Sequence, residues 1–176
     1  QIHLPDIIDI YPHLIETRDM ASLNPALRYP DRQLPKRKLI MGVPTVQRGN
    51  ATYLVPTLEQ LFQKARTEDL EKIRVVVMIS DENGTASTFV QETLRTLKDR
   101  FNDEFESGLL QVIIPPQAWY PANLKNITPT FNDKPDRMYW RTKQNLDYAY
   151  MMIYAARLGE LYLQLEDDIE AAPDYT

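Results

Sequence analysis

The chain has 176 residues, and its lack of cysteine excludes a disulfide scaffold and any thiolate metal site. A net charge of −5 and a pI near 5.1 argue against a nucleic-acid surface. The two histidines, His3 and His13, stand at the N-terminal end, so a Ser/His/Asp triad or a histidine zinc site in the folded part is excluded.

Residues 1–37 carry Pro5, Pro12, Pro25, Pro30 and Pro35 among mixed charges and read as an irregular stem or lead-in. Within it, the Ile7-Ile8-Asp9-Ile10 run has the composition to dock locally. Residues 38–176 read as one domain. Leu39–Val43 is short and apolar, as a first buried parallel strand should be. Leu54, Leu58, Leu61, Phe62 and Ala65 follow at helical spacing, and Pro56 is tolerated because it lies near the helix start. Ile73–Ile79 is β-branched and nearly unbroken, which predicts a second strand covered on both faces. Val90, Leu94, Leu97, Phe101 and Phe105 predict a second helix, broken at Gly108 before a third strand, Leu109–Ile114.

Residues 115–136 have no regular period but hold Trp119, Tyr120 and Phe131. A loop of that length in a compact domain is functional or disordered, and the aromatics favour an ordered loop over a site. A third helix is predicted from about Arg137 to Leu158, burying Leu146, Ala149, Tyr150, Ile153 and Ala156, with Gly159 just past its end. Leu161–Leu165 reads as a short buried fourth strand. It ends in Glu166-Asp167-Asp168. This alternation predicts an α/β fold: a mostly parallel sheet with helices on both faces and right-handed crossovers. The spatial order of the strands is not readable. No apolar run is long enough to span a bilayer and no signal-peptide pattern opens the chain, so it is expected to be soluble or a piece of something larger.

Ligands in open α/β sheets sit outside the carboxyl ends of the strands. Four predicted strand ends meet there, carrying Pro44-Thr45-Val46-Gln47-Arg48, Asp81, the long loop and Glu166-Asp167-Asp168. Three adjacent acids repel one another, and a bound Mg²⁺ or Mn²⁺ shared with substrate phosphates would relieve that. The plainer reading makes Asp167 and Asp168 turn or cap residues. Arg48 suits a diphosphate, or is a solvated loop cation. Asp81 is a ligand, or a cap ahead of the second helix. Arg141 and Lys143, read as opening the third helix, suit a bound anion, with Gln144 and Asn145 adding hydrogen bonds; the alternative is an exposed face paired with Asp147. Neither GxGxxG nor a P-loop occurs among the five glycines. Asn50, Asn83 and Asn126 begin Asn-x-Thr triplets, which accept glycans only in the secretory lumen.

Three strings carry a resemblance: Met41-Gly-Val-Pro-Thr-Val-Gln-Arg48, Trp140-Arg-Thr-Lys-Gln-Asn-Leu-Asp-Tyr148 and Tyr162-Leu-Gln-Leu-Glu-Asp-Asp-Ile169. Over residues 36–169 the chain resembles the N-acetylglucosaminyltransferase IV family. The resemblance implies a GT-A fold, a Rossmann-type sheet cut off here after its Asp-x-Asp-type motif. It implies an inverting, metal-dependent enzyme that transfers GlcNAc from UDP-GlcNAc in β-1,4 linkage to the α-1,3-mannose arm of N-glycans on glycoproteins. Asp168 would be the direct Mn²⁺ ligand. By the resemblance, Glu166-Asp167-Asp168 would be the Asp-x-Asp-type motif, and Thr45 and Arg48 would lie against the donor. Pro44, Asp81, Arg141, Lys143 and Asn145, read from the strand ends and the third helix, complete the expected donor site with Glu166 and Asp167. The family context is the Golgi lumen, with a type II membrane anchor outside this sequence and the general base beyond Thr176. The alternative is a non-catalytic relative that binds or regulates.

Overall fold

The computed structural model describes residues 20–49 and 53–176, so the Ile7–Ile10 run and the Asn50 triplet lie outside the described residues. One sheet organises them. β1 (Leu27–Tyr29), β2 (Arg37–Thr45), β3 (Ile73–Ile79), β4 (Leu110–Ile114) and β5 (Gly159–Gln164) lie in the order β1-β4-β3-β2-β5. All neighbours are parallel except β1, which runs antiparallel to β4. Central parallel strands are covered on both faces, so their apolar residues come consecutively rather than at alternate positions. Every residue of β3 and of β4 is buried.

Successive residues of these strands feed opposite cores. On one face, Met41, Val43, Val75, Val77 and Val112 pack against α1 (Leu54–Lys64), α2 (Thr88–Arg100) and α3 (Asn102–Ser107). On the other, Ile40, Val76, Met78 and Ile113 pack against α4 (Pro135–Ala155) and against Trp119 and Leu124. Each such buried side chain contributes roughly 1.5–3 kcal/mol relative to exposure. The mostly parallel sheet with helices on both faces is therefore as expected.

Several local expectations change. Leu27–Tyr29, read as part of an irregular lead-in, forms an edge strand. The second helix is two helices, because the backbone leaves helical geometry at Phe101 (φ −122°, ψ 38°). The break serves two aromatic partners on different elements: Phe101 meets Phe62 edge-on at 5.5 Å, and Phe105 meets Tyr29 at 4.8 Å. The buried stripe of α4 is rotated from the predicted one. Leu146 and Tyr150 are buried as predicted, joined by Lys143, Asp147, Met151 and Ala155, while Ile153 and Ala156 are exposed. Hydropathy alone misplaces this face because it carries a mutually neutralising Lys–Asp pair.

Gly159 does not cap α4. It begins β5, where a Cβ would lie 2.7 Å from the carbonyl oxygen of Arg37 and 2.7 Å from Cγ1 of Ile40. Nor is β5 a buried strand. It pairs only with β2, and Leu161 and Leu163 are 56% and 43% exposed. Tyr162 and Gln164 are half-buried, with Tyr162 packed beside Gly42 and Met151.

The contact at Gly159 yields a direct test. Gly159→Ala forces a methyl against backbone, which cannot rotate away, and should cost ~1–3 kcal/mol of stability. Urea denaturation would measure it, and an unchanged midpoint would contradict the close β2–β5 approach.

Candidate functional site

Parallel pairing sets the site. Gly42 of β2 pairs with Gln164 of β5, so continuing both chains in step brings Thr45 level with Asp167. The Thr45 hydroxyl donates to Asp167 Oδ2 at 2.5 Å. Arg48, just beyond β2, reaches both acids: its Nη2 lies 3.0 Å from Asp167 Oδ1, and its Nη1 donates to Asp168 Oδ2 at 3.0 Å. Asp167 is buried, whereas Arg48 and Asp168 are partly exposed. The Asp168 arm is screened by water and is worth about 0–1 kcal/mol. The Asp167 arm matters more, because a lone buried carboxylate is costly.

The repulsion expected among the three acids is thus relieved in part by the chain's own guanidinium. Against the desolvation that burial imposes, Asp167 and Asp168 hold the Arg48 pKa above its ordinary value. Among the described residues, no three acidic or histidine side chains converge as a metal cage would require.

Thr57 of α1 secures the backbone beneath the acids. Its hydroxyl lies 2.8 Å from the Asp167 carbonyl oxygen and 3.2 Å from that of Ile169. The following residues lie against α1: the Tyr175 hydroxyl donates to the Leu61 carbonyl, and Lys64 Nζ donates to that of Ala171, each at 2.8 Å. Sequence reasoning passed over Thr57. The available signal was a hydroxyl within the apolar stripe of Leu54, Leu58 and Leu61.

Two cavities meet at Arg48. One, of about 880 Å³, is lined by Thr45, Arg48, Asp81, Ser87, Phe89 and Asp167 among others. The second, of about 530 Å³, includes Pro44, Arg48, Trp140, Arg141, Tyr148 and Glu166. Both fall in the size range of small-molecule sites. Asp81 is engaged as a turn residue: its carboxylate accepts from the Asn83 N–H and the Ser87 hydroxyl, each at 2.8 Å. It nevertheless forms part of the larger cavity's wall.

The Trp140–Tyr148 string does not open α4, which starts at Pro135. Arg141 and Lys143 therefore lie beyond the free N–H groups of the first turn, and both have partners within the protein. Arg141 pairs with Asp133, as does Arg137 at 3.3 Å. Lys143 is buried, 2.7 Å from Asp147 Oδ2 and 3.3 Å from the Ser80 carbonyl. Tyr120 of the long loop donates to Asp147 Oδ1 at 2.6 Å, a partner the sequence did not suggest. Burial raises the Asp147 pKa, with the Lys143 charge opposing it; burial and then Asp147 raise that of Tyr120. Asn145 is exposed and lines neither cavity. Glu166 is exposed at the smaller cavity. The structure thus gathers Pro44, Thr45, Arg48, Asp81, Arg141, Lys143, Glu166, Asp167 and Asp168 at this edge, and leaves Asn145 outside.

The Lys143–Asp147 pair predicts an asymmetry. Asp147→Ala strands a buried ammonium and should cost about 3–5 kcal/mol, whereas joint Lys143→Met and Asp147→Leu should be far milder. Chemical denaturation of the three proteins would check it; equal losses would refute it.

The family model described as the MGAT4 conserved region matches residues 2–176. The chain is 37% identical over 174 residues to alpha-1,3-mannosyl-glycoprotein 4-beta-N-acetylglucosaminyltransferase A of Bos taurus, covering 99% of this chain and 31% of that relative. The corresponding figures are 38%, 99% and 32% for the Rattus norvegicus A enzyme. For the Homo sapiens B enzyme they are 37%, 99% and 30%. The chain thus spans about a third of the length of these curated relatives. No solved structure matches it. With the family model matched along almost its whole length, the chain belongs to the MGAT4, or N-acetylglucosaminyltransferase IV, family.

Proposed function

We propose that this chain forms the donor-binding part of a GT-A-type N-acetylglucosaminyltransferase. The donor is UDP-GlcNAc, and the acceptor is the α-1,3-mannose arm of a glycoprotein N-glycan, extended in β-1,4 linkage with inversion. The observation that carries this reading is Arg48, which stands between two cavities and beside Asp168 at the carboxyl edge of the sheet. Family membership supports the transferred sugar and the kind of acceptor, since the relatives are named alpha-1,3-mannosyl-glycoprotein 4-beta-N-acetylglucosaminyltransferases.

A guanidinium at the junction of the cavities suits a diphosphate, which it can grip with two parallel hydrogen bonds. The walls at Arg137, Arg141 and Trp140 add positive charge and an aromatic face on one side. The hydroxyls of Ser87 and Thr88, with the Asp81 carboxylate, offer polar partners on the other. Pro44 and Thr45 shape the floor between them.

The residues fit a divalent cation held jointly with the donor. Asp168 is partly exposed and is a hard oxygen ligand, while Asp167 is committed to Thr45 and Arg48. One carboxylate plus phosphate oxygens and water is the arrangement such ions accept, so Asp168 is the residue assigned to Mn²⁺. When bound, the ion would supply Lewis-acid stabilisation of charge developing on the departing diphosphate. Removal of the acceptor proton is assigned to no residue of this chain.

The setting proposed is the Golgi lumen, with a type II anchor elsewhere in the protein. Among the described residues, no helix is long and apolar enough to cross a membrane. Asn83 and Asn126 are both exposed, as lumenal acceptor sites would need to be.

A second reading, a binding or regulatory relative without turnover, draws on one observation. The carboxylates of Asp81, Asp147 and Asp167 are all engaged by internal partners, a site better set to bind than to exchange protons. Transfer of GlcNAc to a defined N-glycan by the full-length protein would exclude it.

Calorimetric titration of UDP-GlcNAc tests the donor site. Binding should require Mn²⁺ and should weaken at least about tenfold, ~1.4 kcal/mol, in Asp168→Ala. Binding that ignores both the ion and the substitution would refute the assignment.

A further inference from the structure

We propose that Arg48 is an internal stand-in for the divalent cation, a latch that must leave Asp168 when the ion and the diphosphate enter. The inference rests on the donor-site reading above and adds how that site is held before the donor arrives.

Three observations carry it. The Arg48 guanidinium spans Asp167 Oδ1 and Asp168 Oδ2, each at 3.0 Å, so one cation serves both acids. Asp167 Oδ1 is buried and, despite that short distance, lacks a well-formed hydrogen bond, so the latch is not optimally seated. Finally, Arg48 is 41% exposed and walls both cavities, so its side chain has open space on either side.

The Asp168 oxygen that accepts from Arg48 cannot also ligate a cation without bringing two positive charges together. Like charges a few ångströms apart repel, so the ion and the latched guanidinium exclude each other. A diphosphate resolves the conflict. It offers Arg48 a new bidentate partner, and the cation then takes the guanidinium's place at Asp168. Asp167 stays put through the exchange, because the Thr45 hydroxyl holds its side chain and Thr57 its carbonyl. A protein cation of charge +1 is replaced by a metal cation of charge +2, and the displaced guanidinium follows the anion, whose own negative charge it helps to neutralise.

Ion and nucleotide therefore assist each other, and by linkage each raises the other's affinity by the same factor. Without nucleotide, the latch competes with the ion. Removing the latch should strengthen binding of the ion alone and weaken binding of the nucleotide, two opposite effects from one substitution. A residue with a merely structural role would not tighten Mn²⁺.

The test titrates the full chain with MnCl₂ alone, UDP alone and both together, read by calorimetry and by loss of the free Mn²⁺ resonance signal. Wild type, Arg48→Ala and Arg48→Lys are compared, with thermal melts confirming that each is folded. In Arg48→Ala, Mn²⁺ alone should bind about three- to tenfold tighter, in keeping with the modest strength of half-exposed ion pairs. The factor by which UDP tightens Mn²⁺ should shrink. Arg48→Lys keeps the charge but loses the two-pronged reach and should fall between; it also carries the test if Arg48→Ala does not fold. Unchanged or weaker Mn²⁺ binding in the folded variant, with intact joint binding in wild type, overturns the latch alone. No joint binding in wild type overturns the donor-site reading and the latch with it.

Discussion

The pairing of β5 with β2 is the constraint on which the site depends. These strands are far apart in the chain, yet their register sets which residues face each other at the sheet edge. Side chains alternate across a strand, so a slip of one position would turn Asp167 away from Thr45 and Arg48. Gly159 permits the close approach at the start of the pair, and Thr57 holds the chain where the pair ends. The residues beyond Asp168 then lie along α1.

A second, polar framework ties the long loop to α4, which forms one wall of the smaller cavity. Tyr120, Asp147 and Lys143 form a buried chain of hydrogen bonds ending at the Ser80 carbonyl. Trp119 donates its indole N–H to the Leu146 carbonyl at 2.9 Å, and Glu82 gathers Lys125 and Tyr139 around it. Residues 115–134 are therefore packed by Trp119 and Tyr120 and by β3's end, with Phe131 exposed, although they contain only single helical turns of regular structure. Buried ion pairs add little net stability compared with apolar replacements, because desolvation offsets their attraction. Their contribution here is positional: they set α4's rotation, which carries Trp140, Arg141 and Tyr148 into the smaller cavity's lining.

Among the described residues, every cation gathered at the edge is paired with a carboxylate. Asp167 and Asp168 face Arg48, Asp147 faces Lys143, and Asp133 faces Arg137 and Arg141. An anion entering between the cavities meets guanidinium groups already paired with carboxylates, so it must compete for them. On the proposed reading, a ligand that brings its own cation has the advantage in that competition.

The central strands were legible because burial on both faces forces continuous apolar runs, and Ile73–Ile79 is a strand to the residue. So was α1, whose stripe at Leu54, Leu58 and Leu61 follows from helical spacing alone. Thr45, Arg48 and the acids could be placed at strand ends because parallel strands share one carboxyl edge. What the linear chain could not reveal depends on contacts distant in sequence. The antiparallel strand at Leu27–Tyr29 is too short to signal itself and exists only against β4. The buried face of α4 follows a charge pair that hydropathy counts as exposed. The partner of Arg48 was open to any anion until β5 took its place beside β2 and brought Asp167 and Asp168 within reach. Local pattern thus determined the central strands and most helices, and placed Thr45, Arg48 and the acids at strand ends. Tertiary packing alone decided that Arg48 meets Asp167 and Asp168, because pairing across more than a hundred residues is set by sheet order and register, neither of which leaves a periodic trace in the sequence.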